Sequence, residues 1–238
     1  MEKSLRDFLE KVDPKLVEYV QENIFPEYLK NDLGHGIFHI KEVIRRAFML
    51  NENLDLKLDD NMIFAMASFH DLGKYINHEI HEQIAASKFM EDEKMKEFFS
   101  NDERNIIKEA ILDHRSSFRD NPRSIYGKLI SSADKNTSVK LVFIRSFFVG
   151  QERTPDMTIE EFLDFTFKRL TKRYSILEPE RMFLEDNVYK KFLEEMRELL
   201  CNEELFKNKY CSINRIVSRT NKVREELGRT DLCVVDFN

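Results

Sequence analysis

All six histidines, His35, His39, His70, His78, His81 and His114, fall in the first half of this 238-residue chain. A random scatter would seldom do this. A neutral imidazole offers a nitrogen lone pair to a transition metal, and an aspartate adds charge and can bridge two ions. Such chemistry requires the side chains to converge. His35 and His39 are spaced i,i+4 and His78 and His81 i,i+3, so each pair shares a face if it is helical. His70 and Asp71 are adjacent and cannot share a helical face, but a helix terminus lets both turn toward one point. Asp134 follows Ile130, Ser131, Ser132 and Ala133 in an otherwise apolar stretch. An inward carboxylate there is costly unless it is paired or ligates a cation.

The elements that must position these groups are helices. Six Gly and five Pro are few turn-makers for this length, about a third of average usage, which argues against a sandwich, a barrel or a disordered chain. With 42% hydrophobic residues and 20 Phe, the chain can fill a sizeable core. Apolar spacing predicts one or two helices over 3–30, broken near Pro14 and Pro26, then helices over 37–51, 59–71, 78–91 and 103–114. The charged stretch 91–103 reads as a short helix or a solvated loop. A single long helix is expected over 125–148, with Asp134 in its middle. Residues 115–124 and 150–156 read as loops, and 158–170, 185–200 and 212–227 as further helices. The expectation is an all-α fold in one domain, with a core over about 30–150 and a C-terminal helical extension over 151–238.

The chain carries 38 basic and 44 acidic residues, a net charge of −6, which disfavours a nucleic-acid partner that would require a positive field. No apolar run approaches the roughly 20 residues needed to span a bilayer, and residues 1–11 are charged throughout, unlike a signal peptide. These features point to a cytoplasmic protein without a membrane partner. Cys201, Cys211 and Cys233 lack the short pair spacing of a zinc ribbon and read as reduced thiols.

The order of the candidate ligands resembles that of the HD-domain metal-dependent phosphohydrolases: a His, then a His-Asp pair, then an Asp. Here it reads His39-Ile40-Lys41-Glu42-Val43, then His70-Asp71-Leu72-Gly73-Lys74, then Ala133-Asp134-Lys135, within about 35–140. Members with two metals add two histidines before the last Asp, and His81 and His114 match those places. Arg115 follows His114 where the HD-GYP branch has a second His, and the Gly-Tyr-Pro signature is absent. The resemblance therefore implies an HD-like helical bundle of the branch that cleaves nucleotides and dinucleoside polyphosphates.

By that resemblance, His39, His70, Asp71 and Asp134 would hold one divalent ion and His81 and His114 a second, with Asp71 bridging. Iron or manganese suits a mixed imidazole and carboxylate site best, with magnesium, nickel, cobalt or zinc as alternatives. Asp71 and Lys74 would be the catalytic residues, acting with a metal-activated water, Lys74 neutralising charge on a reacting oxygen. His35, His78, Arg115, Arg119 and Lys135 are candidates for binding a small phosphorylated substrate. A homodimer is compatible with the Phe-rich segments around 143–148 and 162–167. Two other readings share the ligand set: a di-iron oxygenase, and a regulatory module that binds nucleotide without hydrolysing it.

Overall fold

In the structure, a computed structural model, residues 3–115, 121–154, 156–176 and 181–226 are described, the side chains of 33, 149, 151–153 and 216–226 excepted. The fold is all-α. Among the described residues there are twelve α-helices: α1 Leu5–Leu9, α2 Pro14–Tyr19, α3 Ile37–Asn53, α4 Asp60–Phe69, α5 His81–Glu91, α6 Met95–Phe98, α7 Asn101–Asp113, α8 Ile125–Ala133, α9 Val139–Arg153, α10 Ile159–Arg173, α11 Asn187–Leu200 and α12 Glu203–Glu226. A π-helical turn at Val20–Ile24 and 3-10 turns at Phe25–Lys30 and Leu33–His35 join α2 to α3. Pro26 is the second residue of a 3-10 turn. Among the described residues, no helix is long and apolar enough to cross a membrane.

The chain divides into two compact units. The first is Met1–Lys135 with Met182–Asp186, and the second is Asn136–Arg181 with Asn187–Asn238. In the first unit, every residue of α4 from Met62 to Phe69 is buried, as expected of a helix apolar on all sides at the centre of a core. Helix α3 packs on α4 and α8, and α7 on α4, α5 and α8. Burial of Phe48, Phe64, Phe69 and Phe89 contributes about 1.5–3 kcal/mol each. In the second unit, α9 packs on α11 and α12, and α10 on the same two helices, around Phe143, Phe162, Phe206 and Tyr210.

Three helix assignments made from the pattern need correction. The single helix expected over 125–148 is two: α8 ends at Ala133, Asp134 is its C-cap, and Ser138 caps α9 by accepting from the Leu141 N–H. Asp134 is therefore at a helix end, not in a helix middle. No Gly or Pro marks the break, whereas Ser138 offers the new helix a cap that favours a start there. The loop expected from 150 is instead the last turn of α9, where Gly150 leaves room for the Phe162 ring, which a Cβ would strike. The last helix begins at Glu203 rather than near 212.

Candidate metal centre

Three of the six candidate ligands sit at helix C-caps: His70 on α4, His114 on α7 and Asp134 on α8. His81 opens α5, and His39 lies in the first turn of α3. Helix C-termini carry partial negative charge, so three of them meeting in one place favour a cation there. The turn after α4 brings Asp71 into the core, where both His70 and Asp71 are fully buried. That turn lies hard against α5. A Cβ on Gly73 would stand 2.5 Å from both Cβ and Cγ2 of Ile84.

Three of the imidazoles are oriented in the same way. The Nδ1 atoms of His70, His81 and His114 lie 2.8, 2.9 and 2.6 Å from the carbonyls of Ala67, His78 and Ile111, each three residues earlier. A carbonyl can only accept, so each Nδ1 carries the proton and, in the neutral ring, each Nε2 holds a bare lone pair.

The Nε2 atoms of these three rings and of His39 converge on the two oxygens of Asp71. Around Oδ2, the Nε2 atoms of His39 and His70 stand at 3.6 and 3.8 Å, and both also face Asp134 Oδ1, at 3.1 and 3.8 Å. Around Oδ1, the Nε2 atoms of His81 and His114 stand at 3.3 and 3.5 Å. The latter two nitrogens are 3.1 Å apart. The buried Nε2 atoms of His39 and His70 have no hydrogen-bond partner; the short approach of His39 to Asp134 lacks hydrogen-bond alignment. Ligands bound at about 2.0–2.2 Å from one ion stand roughly 3.0–3.4 Å apart. The spacings, the unpartnered nitrogens and the nitrogen and oxygen donor set all fit divalent cations, one on each side of Asp71. Lys74 Nζ lies 3.1 Å from each Asp71 oxygen and pairs with the carboxylate.

The carboxylates and the imidazoles shift one another. Burial would push the Asp71 carboxyl up, but Lys74 and His70, with His114 and His39, hold it well below the usual carboxylate range. At Asp134 the imidazoles of His39 and His70 likewise outweigh burial and keep the carboxyl ionised. His70 is raised despite its burial, because Asp71 and Asp134 stabilise its charged form. His81 goes the other way: burial pushes it down to about 4, so it is neutral at neutral pH and its lone pair is available.

Residues 36–137 match the family model of the HD domain. The matched segment contains all six clustered side chains, and the HD-domain family includes many metal-dependent hydrolases. A curated protein of Clostridium beijerinckii, described as an uncharacterized protein, is 26% identical over 125 residues, 52% of this chain and 77% of its own. No solved structure matches the chain significantly.

Of the other site residues expected from sequence, His35 and His78 stand at the edge of the cluster. His35 Nδ1 is held by Asp32 at 2.8 Å, and its ring centroid is 5.8 Å from that of His39 and 6.4 Å from that of His78. The His78 side chain is half-exposed, while its carbonyl orients His81. Arg115 is engaged by Glu79 and Glu82. Lys135 follows Asp134 on the turn between α8 and α9, its N–H donating to the Ser132 carbonyl. Arg119 lies outside the described residues. Composition did not single out Asn31, whose amide donates to the carbonyls of His35 and Asp71 and accepts from the Tyr75 N–H, nor the buried pair Arg46 and Asp186. An Asn directly before a Gly-containing turn was the available signal for the first.

Proposed function

We propose that this protein is a metal-dependent phosphohydrolase that cleaves a small phosphate ester or anhydride, with nucleotides and dinucleoside polyphosphates as the substrate class. The observation that carries this reading is the division of labour on Asp71: Oδ2 faces His39 and His70, and Oδ1 faces His81 and His114. His39, His70, Asp71 and Asp134 would hold one ion, and Asp71, His81 and His114 a second; iron or manganese suits these donors. Bound there, the ions would supply Lewis acidity toward a phosphoryl oxygen and lower the pKa of a coordinated water.

The chain's own groups support the same chemistry. The backbone carbonyls behind His70, His81 and His114 fix the ring tautomers, so little reorganisation is needed on binding. Lys74 is held by both Asp71 oxygens and places an ammonium beside the centre, where it can balance charge on phosphoryl oxygens. Its side chain is only 11% exposed, and the low dielectric around it strengthens that interaction. The decisive experiment is a panel of phosphorylated metabolites assayed with Mn(II) and with Fe(II) under reducing conditions. Turnover of a nucleotide or dinucleoside polyphosphate that disappears in Asp71→Ala is expected. Absence of any turnover above that variant would refute the reading, and oxygen consumption in its place would indicate an oxygenase.

A further inference from the structure

Arg46 is a charged residue buried in the first unit with 7% of its surface exposed. It lies on α3 seven residues after His39, two turns along the same face. Its Nε donates to the carbonyl of Ala133 at 3.1 Å and its Nη2 to that of Ser132 at 3.3 Å. These are among the last carbonyls of α8, which a helix leaves without intrahelical donors, and the next residue is Asp134. Helix α3 therefore approaches the end of α8 twice: His39 Nε2 stands 3.1 Å from Asp134 Oδ1, and Arg46 ties the two carbonyls just before it.

A guanidinium buried without a counter-charge is strongly unfavourable. Asp186 supplies the charge, its Oδ2 2.6 Å from Arg46 Nη2 and its own side chain 5% exposed. Asp186 ends Met182–Asp186, a short segment that belongs to the first unit although the chain on both sides of it belongs to the second. Leu184 of the same segment packs against the first unit's core.

We propose that Arg46 and Asp186 are positioning residues for Asp134, so that a segment far along the chain completes the ion site formed with His39, His70 and Asp71. The proposal rests on the metal-site reading above. It differs from a purely structural ion pair in one respect: it acts on one side of Asp71 only.

Two full-length backgrounds separate the sides. His81→Ala with His114→Ala leaves the site of His39, His70, Asp71 and Asp134. His39→Ala with Asp134→Ala leaves the other. Mn(II) affinity is read from the free-ion electron paramagnetic resonance signal, beside a thermal melt of each metal-free protein. Asp186→Asn is the direct variant. Arg46→Lys keeps the charge pair, is the safer one for folding, and cannot fork to two carbonyls and a carboxylate together. In the first background each should weaken Mn(II) binding about tenfold or more, and in the second less than about twofold. Equal losses in both backgrounds, or none in the first, would overturn the positioning role. A first background that binds no Mn(II) even with Arg46 and Asp186 intact would overturn the metal-site reading and this proposal with it.

Discussion

His81 and His114 point their Nε2 atoms at each other across 3.1 Å, although both rings donate from Nδ1 to main-chain carbonyls. Two lone pairs at that distance repel unless a cation lies between them or one ring takes a proton. Asp71 Oδ1, 3.3 Å from one and 3.5 Å from the other, completes a three-donor cradle. Replacing either histidine by alanine should lower the bound metal from two ions per chain to one. Asp71→Ala should lower it further. Elemental analysis of protein purified with excess Mn(II) checks both, and unchanged stoichiometry in His114→Ala would remove His114 from the ligand set.

Lys74 and a bound cation compete for the same carboxylate, since Nζ sits 3.1 Å from both Asp71 oxygens. Lys74→Gln removes the competitor and should leave metal affinity equal or tighter. If the ammonium also balances charge on the reacting phosphoryl group, turnover in the same variant should fall about 100-fold. Calorimetric Mn(II) titration and kcat measured side by side test this. A variant that loses metal and activity together would make Lys74 a structural partner of Asp71.

Asp32 accepts from the Gly34 N–H at 2.8 Å and holds His35 Nδ1 at the same distance. Burial would raise its carboxyl, but the His35 contact, the Gly34 N–H and Lys74 bring it down to about 2. A carboxyl held lower in the folded than in the unfolded chain stabilises the fold above its unfolded value near 3.8, and the contribution disappears as pH falls through about 2. Asp32→Asn keeps the turn's acceptor and loses the charge. It should cost about 2 kcal/mol at pH 6, with the gap to the unaltered protein narrowing from pH 4 and closing near 2. Urea denaturation across that range in chelator is the measurement. A gap that stays constant with pH would show that the charge contributes nothing.

The six clustered side chains were legible because their residue types announce their chemistry and their order fits the HD-domain pattern. Even so, the pattern puts Asp134 in mid-helix: no Gly or Pro separates Leu129, Ile130 and Ala133 from Val139, Val142 and Phe143, so the two apolar runs read as one helix although their faces point in different directions. Arg46 reads as one more cation on an amphipathic helix, and its partner lies 140 residues away. One chain carries no signal that would pair them. Arg115 faces Glu79 and Glu82, whose approach depends on how α5 meets the end of α7. Residue type reveals what a side chain can do, while its partner is set by packing between elements distant in sequence.

Gly73 shows the same dependence from the backbone side. An added Cβ would meet Ile84 Cβ and Cγ2 at 2.5 Å and the His81 carbonyl at 3.2 Å. Ile84 Cβ is fixed to α5 and cannot swing aside, so in Gly73→Ala the turn bearing Asp71 and Lys74 and the start of α5 must move apart. Overpacking of this kind costs about 1–3 kcal/mol. The displacement should fall mainly on the side of Asp71 that faces His81, because His81 is the first residue of α5 and stands 3.3 Å from Asp71 Oδ1. Gly73→Ala should therefore weaken the ion site proposed at His81 and His114 before the one proposed at His39, His70 and Asp134. Stoichiometric Mn(II) titration would show a single remaining ion, with a lowered urea midpoint. Two ions bound as tightly as in the unaltered protein would mean that the turn and α5 yield without separating the ligands.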